Sequence, residues 1–302
     1  MASPAQPSVP PESARPGSAL LRFAQERPLT LFFSLAYTFT WTLWLLVPRI
    51  VRHRGIGGFD DPFDIVFVLV GAFGPTVAAF VTRWLGHRDL KICRVWTGWQ
   101  GLVTSLTIGL AIFFIATVVA PELALVKAPP SNLHWSVLLH WSTYAVNYSS
   151  FLGGPLNEEP GWRGFALPRM QARYGPAWAS LILAALWAGW HLPLFLVPGW
   201  SSASPWQYVL ILVGISFMMT AAANLSRFGV LVPIVLHAFF NTSSGLGNAV
   251  MGDLPARSRQ MWIYTLVVFT CGTVLGSAAL ALRRYSGFKL SNSFQSLSGL
   301  TR

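Results

Sequence analysis

Leu156–Arg173 reads LNEEPGWRGFALPRMQAR, and its placement decides how the rest of the chain folds. Glu158 and Glu159 follow an apolar run, and Arg163 comes four residues after the second acid. At helical spacing Glu159 and Arg163 share a face, as do Trp162 and Ala166. Glu158 is turned about 100° from Glu159, so one acid can be clamped by the arginine while the other points elsewhere. The neighbouring runs that could cross a membrane are nearly free of charge. Ionisable groups at membrane depth are costly to bury, and such a cluster marks a functional site.

Composition sets the class. Of 302 residues, 53% are hydrophobic and only 10% charged. Soluble domains carry about 25% charged residues, so the predicted fold class is all-α, a polytopic transmembrane helical bundle. Fourteen tryptophans suit aromatic belts at the two interfaces. Cys93 and Cys271 stand far apart and form neither a disulfide framework nor a metal-type spacing. The net charge of +11 is spread through short loops between apolar runs, a pattern of topology and anionic lipid rather than of nucleic acid.

Apolar runs near 28–48, 65–85, 102–121, 136–157, 176–197, 206–224, 229–250 and 262–282 predict about eight spans. They form a single transmembrane domain over 20–285, between a disordered Pro-rich tail at 1–19 and a flexible Ser-rich tail at 286–302. With the N-terminus inside, the inner segments hold 15 of the 21 Lys and Arg residues. This predicts both termini in the cytoplasm of a bacterial plasma membrane. Arg49, Arg52 and Arg54 run against that count, lying outside beside Asp60, Asp61 and Asp64. Residues 88–100, RDLKICRVWTGWQ, read as an amphipathic helix on the inner surface.

Two further polar groups interrupt the spans. His191 lies in LWAGWHLPLF, and His237 and Asn241 lie in VLHAFFNTSSG, one helical turn apart. His134 and His140 lack comparable partners and read as interface or packing residues. Each group also has an ordinary structural reading. The acids and arginine can be a solvated helix cap, the lone histidine a backbone-bonded core residue, and the His–Asn face polar glue between helices.

NEEPGWRGFALPRMQ resembles the first motif, EExxxR, of the CPBP intramembrane proteases, which include type II CAAX prenyl endopeptidases and bacterial Abi-type proteins. WAGWH is similar to their second motif, FxxxH, with Trp187 standing at the phenylalanine and His191 at the histidine. His237 and Asn241 match the third. The motifs fall in family order within a core at about 136–250. The resemblance implies an intramembrane endopeptidase that uses catalytic Glu158 and His191, with His237 and Asn241 stabilising the intermediate and Glu159 and Arg163 in support. It implies no cofactor. The chemistry is coherent on its own terms, since peptide hydrolysis needs an activated water, a proton acceptor and donors for the developing oxyanion. A zinc site is the rival use of the same side chains, with Glu158, His191 and His237 as a His₂Glu set, although HExxH is absent.

One distance resists this arrangement. If the fourth span ends at Glu158, His191 lies ~15 residues, about 22 Å, up the fifth. Pro155 and Pro160 with Gly153, Gly154 and Gly161 predict a break that carries Glu158 inward to a watery chamber. The expected partners are a peptide or membrane-associated protein substrate, CAAX-type and prenylated among the options, and the lipid bilayer. A catalytically silent scaffold or bacteriocin-immunity-like protein of the same fold is the alternative from another class. A proton or solute relay is a third, but the inverted repeats that transporters show are not evident.

Overall fold

A computed structural model describes residues 19–87, 91–95, 98–99, 102–103, 106–107, 154–201, 203–250 and 254–285. Side chains are described throughout these ranges except at 242–250, 254–260 and 282–285. Among the described residues the secondary structure is helical, apart from one isolated bridge between Arg94 and Gly229. Helix α1 spans Ala19–Glu26, α2 Pro28–Trp41 and α3 Val47–Arg52, with a π-helical segment at Thr42–Leu46 joining the last two. Then come α4 (Pro62–Gly71), α5 (Gly74–His87), α6 (Pro155–Glu159), a second π-helical segment (Pro160–Ala166) and α7 (Leu167–Trp190). A 3₁₀ turn at Leu192–Leu196 leads to α8 (Pro205–Leu225), α9 (Leu231–Val250) and α10 (Leu254–Tyr285).

Proline punctuates most of these elements. Pro28, Pro62, Pro155 and Pro205 each open a helix, where a missing N–H costs nothing. Asp61 caps α4 by accepting from Phe63 N at 2.9 Å, and Ser204 and Gln207 form a reciprocal capping box on α8. Inside a helix a proline removes an i→i−4 bond. Both π-helical segments adjoin one, Pro48 just after the first and Pro160 at the start of the second. Wide turns of this kind recur at functional sites.

Five helical stretches are long and apolar enough to cross a membrane: Pro28–Arg52, Pro62–His87, Pro155–Leu196, Pro205–Leu225 and Met261–Ala281. Leu231–Asn241 is a shorter apolar one. Outward-facing Val66, Val70, Leu266, Val274 and Leu275 give these stretches the apolar exterior that lipid requires. Of the eight expected spans, most of the third and of the fourth lie outside the described residues. So do His134, His140 and nearly all of both tails. Ala19, expected in the N-terminal tail, is instead the first residue of α1.

Two expectations change. Residues 91–95 are not helical, and Val230 N and Leu231 N bond to the carbonyls of Arg94 and Val95 at 2.8 and 3.3 Å. Glu158 does not end a span. It sits near the start of a 42-residue stretch, Pro155–Leu196, which at 1.5 Å per residue would run about 63 Å if straight, twice a bilayer core. The stretch folds back at Gly175, whose φ of 75° and ψ of 166° break the helix just before Pro176. Only glycine takes such a conformation without strain. The two arms, 155–174 and 176–196, then lie against each other, with the Trp162 and Trp190 rings 5.7 Å apart.

The reversal also revises the charge count. Arg163, expected in an inner loop, is buried with 1% of its surface exposed. On the other side, Arg52 and Arg54 are held by Asp61 and Asp64 at 2.7–3.6 Å, so the basic residues of that loop are locally neutralised.

The arms pack on α5 at one side, where a Cβ on Gly161 would meet the Pro75 carbonyl carbon and oxygen at 2.4 Å. At the other side α7 packs on α8, and α8 runs along α10. That last crossing depends on absent side chains. A Cβ on Gly272 would lie 2.3 Å from the Gly214 carbonyl oxygen, and one on Gly214 would lie 2.3 Å from the Val268 carbonyl oxygen. Helices in lipid associate through small residues of this kind. Gly272→Leu should therefore cost about 2 kcal/mol through overpacking and lower the melting temperature by about 5 °C. Val274→Leu, on the exposed face, should leave it unchanged. Thermal unfolding of the detergent-purified protein, followed by tryptophan fluorescence, checks both, and an unshifted Gly272→Leu midpoint rules out the close crossing.

Candidate active site

The reversal at Gly175 solves the distance problem. Glu158 precedes the glycine along one arm by nearly the same stretch of chain as His191 follows it along the other, so equal rise brings both to one level. Arg163 and Trp187 are equally far from the same glycine on either side, and they meet: the guanidinium carbon stands 4.2 Å from the centre of the Trp187 ring.

Trp187 is the hub. Its indole Nε1 donates to Glu158 Oε2 at 2.8 Å, and its backbone carbonyl accepts from His191 Nδ1 at 2.9 Å. The His237 ring meets it edge-on at 5.1 Å between centres. Glu158 takes a second indole donor on the same oxygen, Trp162 Nε1 at 3.3 Å. Trp162 is one turn along from Glu158, which brings the two to one face.

Glu159 serves a different pair. Its Oε1 accepts from Arg163 Nη1 at 3.0 Å and from His237 Nδ1 at 2.8 Å, all three residues being buried. The expected clamp on Glu159 is present, but it is not a bidentate fork. Among the described residues Arg163 Nε and Nη2 have no hydrogen-bond partner, and the guanidinium stacks on Trp187.

Glu158, His191 and His237 are at most 6% exposed. Both His237 and Tyr208 lie near enough to the Glu158 carboxylate to interact with it electrostatically, and His191 likewise senses His237. Three of the four expected catalytic residues are thus gathered around one tryptophan. Asn241 follows His237 by one turn of α9 and is half-buried.

The ring protons follow from the partners. A carbonyl only accepts, so His191 Nδ1 carries hydrogen, and the Nε2 of the neutral ring is left as an acceptor. His237 Nδ1 donates to Glu159 in the same way. An aromatic wall surrounds His191: Trp200 is stacked at 5.6 Å, and Trp190 and Tyr208 stand edge-on at 4.6 and 5.3 Å. None of these three was legible as a site residue, because one aromatic in an aromatic-rich span carries no signal. Among the described residues, no three His, Cys, Asp or Glu side chains stand together as ligands to one ion. Glu158, His191 and His237, the set that the rival zinc reading would use, are not grouped in that way.

The sequence is similar to known proteins over the same part of the chain. Residues 140–243, which hold all six site residues, match the family described as type II CAAX prenyl endopeptidase Rce1-like. A CAAX prenyl protease 2 from Methanococcus maripaludis is 28% identical over 97 residues. The matched part is 30% of this chain and 36% of that protein, so the similarity spans about a third of each. Over residues 140–243 the chain carries a type II CAAX prenyl endopeptidase Rce1-like domain.

Proposed function

We propose that this protein is an integral-membrane endopeptidase in which Glu158 activates water for attack on a peptide bond. The observation that carries this reading is a buried carboxylate, Glu158, held by two indole donors beside two histidines with differently assigned partners. A merely structural acid would be neutralised by the nearby arginine. Here Arg163 bonds to Glu159 instead.

In the reaction, water attacks the scissile carbonyl carbon and gives its proton to Glu158. His191 Nε2 accepts the other water hydrogen as a hydrogen bond and fixes the direction of attack. The carbonyl oxygen becomes an oxyanion facing α9, where the Asn241 amide can donate to it. His237 can donate from Nε2 only as an imidazolium, because its Nδ1 proton is committed to Glu159, and Glu159 is the counter-ion such a ring needs. Collapse of the intermediate breaks the C–N bond, and the proton held by Glu158 passes to the leaving amine. A carboxylate and an amine result, and no group other than water is consumed.

The family match supports a peptide or protein presented at the membrane as the substrate, and a prenylated C-terminal Cys-a-a-X segment is the form proposed for the first test. A catalytically silent scaffold of the same fold would have no reason to keep two carboxylates dry at one level with two histidines. The charge distribution supports cytoplasmic termini and a chamber that opens to that side.

The decisive experiment uses the full chain in lipid nanodiscs and a quenched fluorescent peptide ending in farnesylated Cys-a-a-X, with the unprenylated peptide alongside. Glu158→Gln should abolish cleavage, because glutamine keeps the shape but takes no proton. A strong zinc chelator should leave wild-type activity intact. Activity lost on chelation and restored by zinc would mean that Glu158, His191 and His237 rearrange into a metal site. Chelator-resistant activity that also survives Glu158→Gln would refute the proposal.

Arg163→Lys should lose about tenfold in kcat/KM on the same peptide. Lysine keeps the charge and one bond to Glu159 but cannot stack flat on Trp187. Wild-type activity in this variant would show that the guanidinium does not position the cluster.

A further inference from the structure

We infer that Trp187 is a positioning residue for the proton acceptor: with Trp162 it engages Oε2 of Glu158 and leaves Oε1 as the oxygen that takes the proton from water. The inference rests on the reading of Glu158 as general base and adds what distinguishes its two oxygens. Both indole N–H groups converge on Oε2, at 2.8 and 3.3 Å. An oxygen that accepts two N–H donors has its lone pairs occupied and is a poor base. Oε1 lies instead over Gly154, where a Cβ would come within 2.7 Å. Gly154 has φ of 104°, so a side chain there would be both strained and in collision with that oxygen.

The two donors are themselves immobile. Trp162 and Trp187 are among the largest fully buried side chains. Trp162 is braced by Phe32 and Phe33 at 5.5 and 5.9 Å, and Trp187 is covered on one face by Arg163 and at its edge by His237. Because the Trp187 carbonyl also binds His191 Nδ1, one residue sets the orientation of both the base and its partner histidine. Phenylalanine, which the EExxxR/FxxxH pattern carries here, has the ring but no N–H. In this chain the indole adds a donor that such a motif lacks.

The test separates the N–H from the ring. Trp187 is replaced site-specifically by benzothienylalanine, which keeps the bicyclic shape and substitutes sulfur for N–H, and in parallel by phenylalanine. Cleavage of the farnesylated peptide is measured alongside Glu158→Gln. The benzothienyl protein should keep its melting temperature and a KM within about twofold, and lose roughly ten- to a hundredfold in kcat, the scale of one hydrogen bond to a charged group. A merely structural ring would leave kcat unchanged in that variant and affect only Trp187→Phe, through packing. Wild-type kcat in the folded benzothienyl protein, with Glu158→Gln inactive, overturns this inference and spares the base. Activity in Glu158→Gln overturns the base as well. If Trp187→Phe fails to fold, the isosteric variant still decides.

Discussion

Two carboxylates and a guanidinium inside an apolar helical bundle are the constraint that the surrounding structure satisfies. Removing one partner of such a buried pair typically costs about 3–5 kcal/mol, because it strands the other charge. The protein meets this by dividing the acids. Glu159 is matched to Arg163 and His237, and Glu158 to neutral indole donors. The division keeps the arginine from quenching the acid that has chemistry to do. Aromatic residues do the solvating, since an indole offers one N–H donor and a large apolar body that costs little to bury. This accounts for tryptophans deep in the protein, Trp162, Trp187 and Trp190 among them.

Much of the site was legible because charge is scarce in a membrane chain. Glu158, Glu159 and Arg163 could hardly be overlooked, and the helical spacing that paired Glu159 with Arg163 also holds in the structure. The histidines stood out for the same reason. What spacing did not reveal was the course of the chain between them. Residues 158–175 lie between two of the expected spans and count there as an inner segment with three arginines, whereas they form a packed helical arm in which Arg163 stacks on Trp187 and Arg169 on Phe165. Charge counting treats every arginine as hydrated, and the buried Arg163 is not.

Residues 91–95 illustrate the opposite error. Their basic residues, Lys91 and Arg94, stand three apart and suit one face of an amphipathic helix, yet the segment is not helical. The backbone of 230–231 offers them N–H partners that no local pattern could announce, and tertiary pairing overrode propensity. Trp187 was visible only as a departure from a motif, and its meaning needed the distant neighbour in sequence, Glu158, that it bonds.

The fold-back at Gly175 has a consequence for how this chain can vary. Base and histidine are level only because the two arms, measured from the pivot to Glu158 and to His191, are matched in length. An insertion of a single position in either arm would shift everything beyond it by about 1.5 Å and turn it by about 100°, carrying Trp187 away from Glu158 or Glu158 away from Trp187. A compensating insertion in the other arm would restore the height but not the facing. The arms therefore behave as a pair of gauge blocks, free to change composition along their lipid-facing sides but not length.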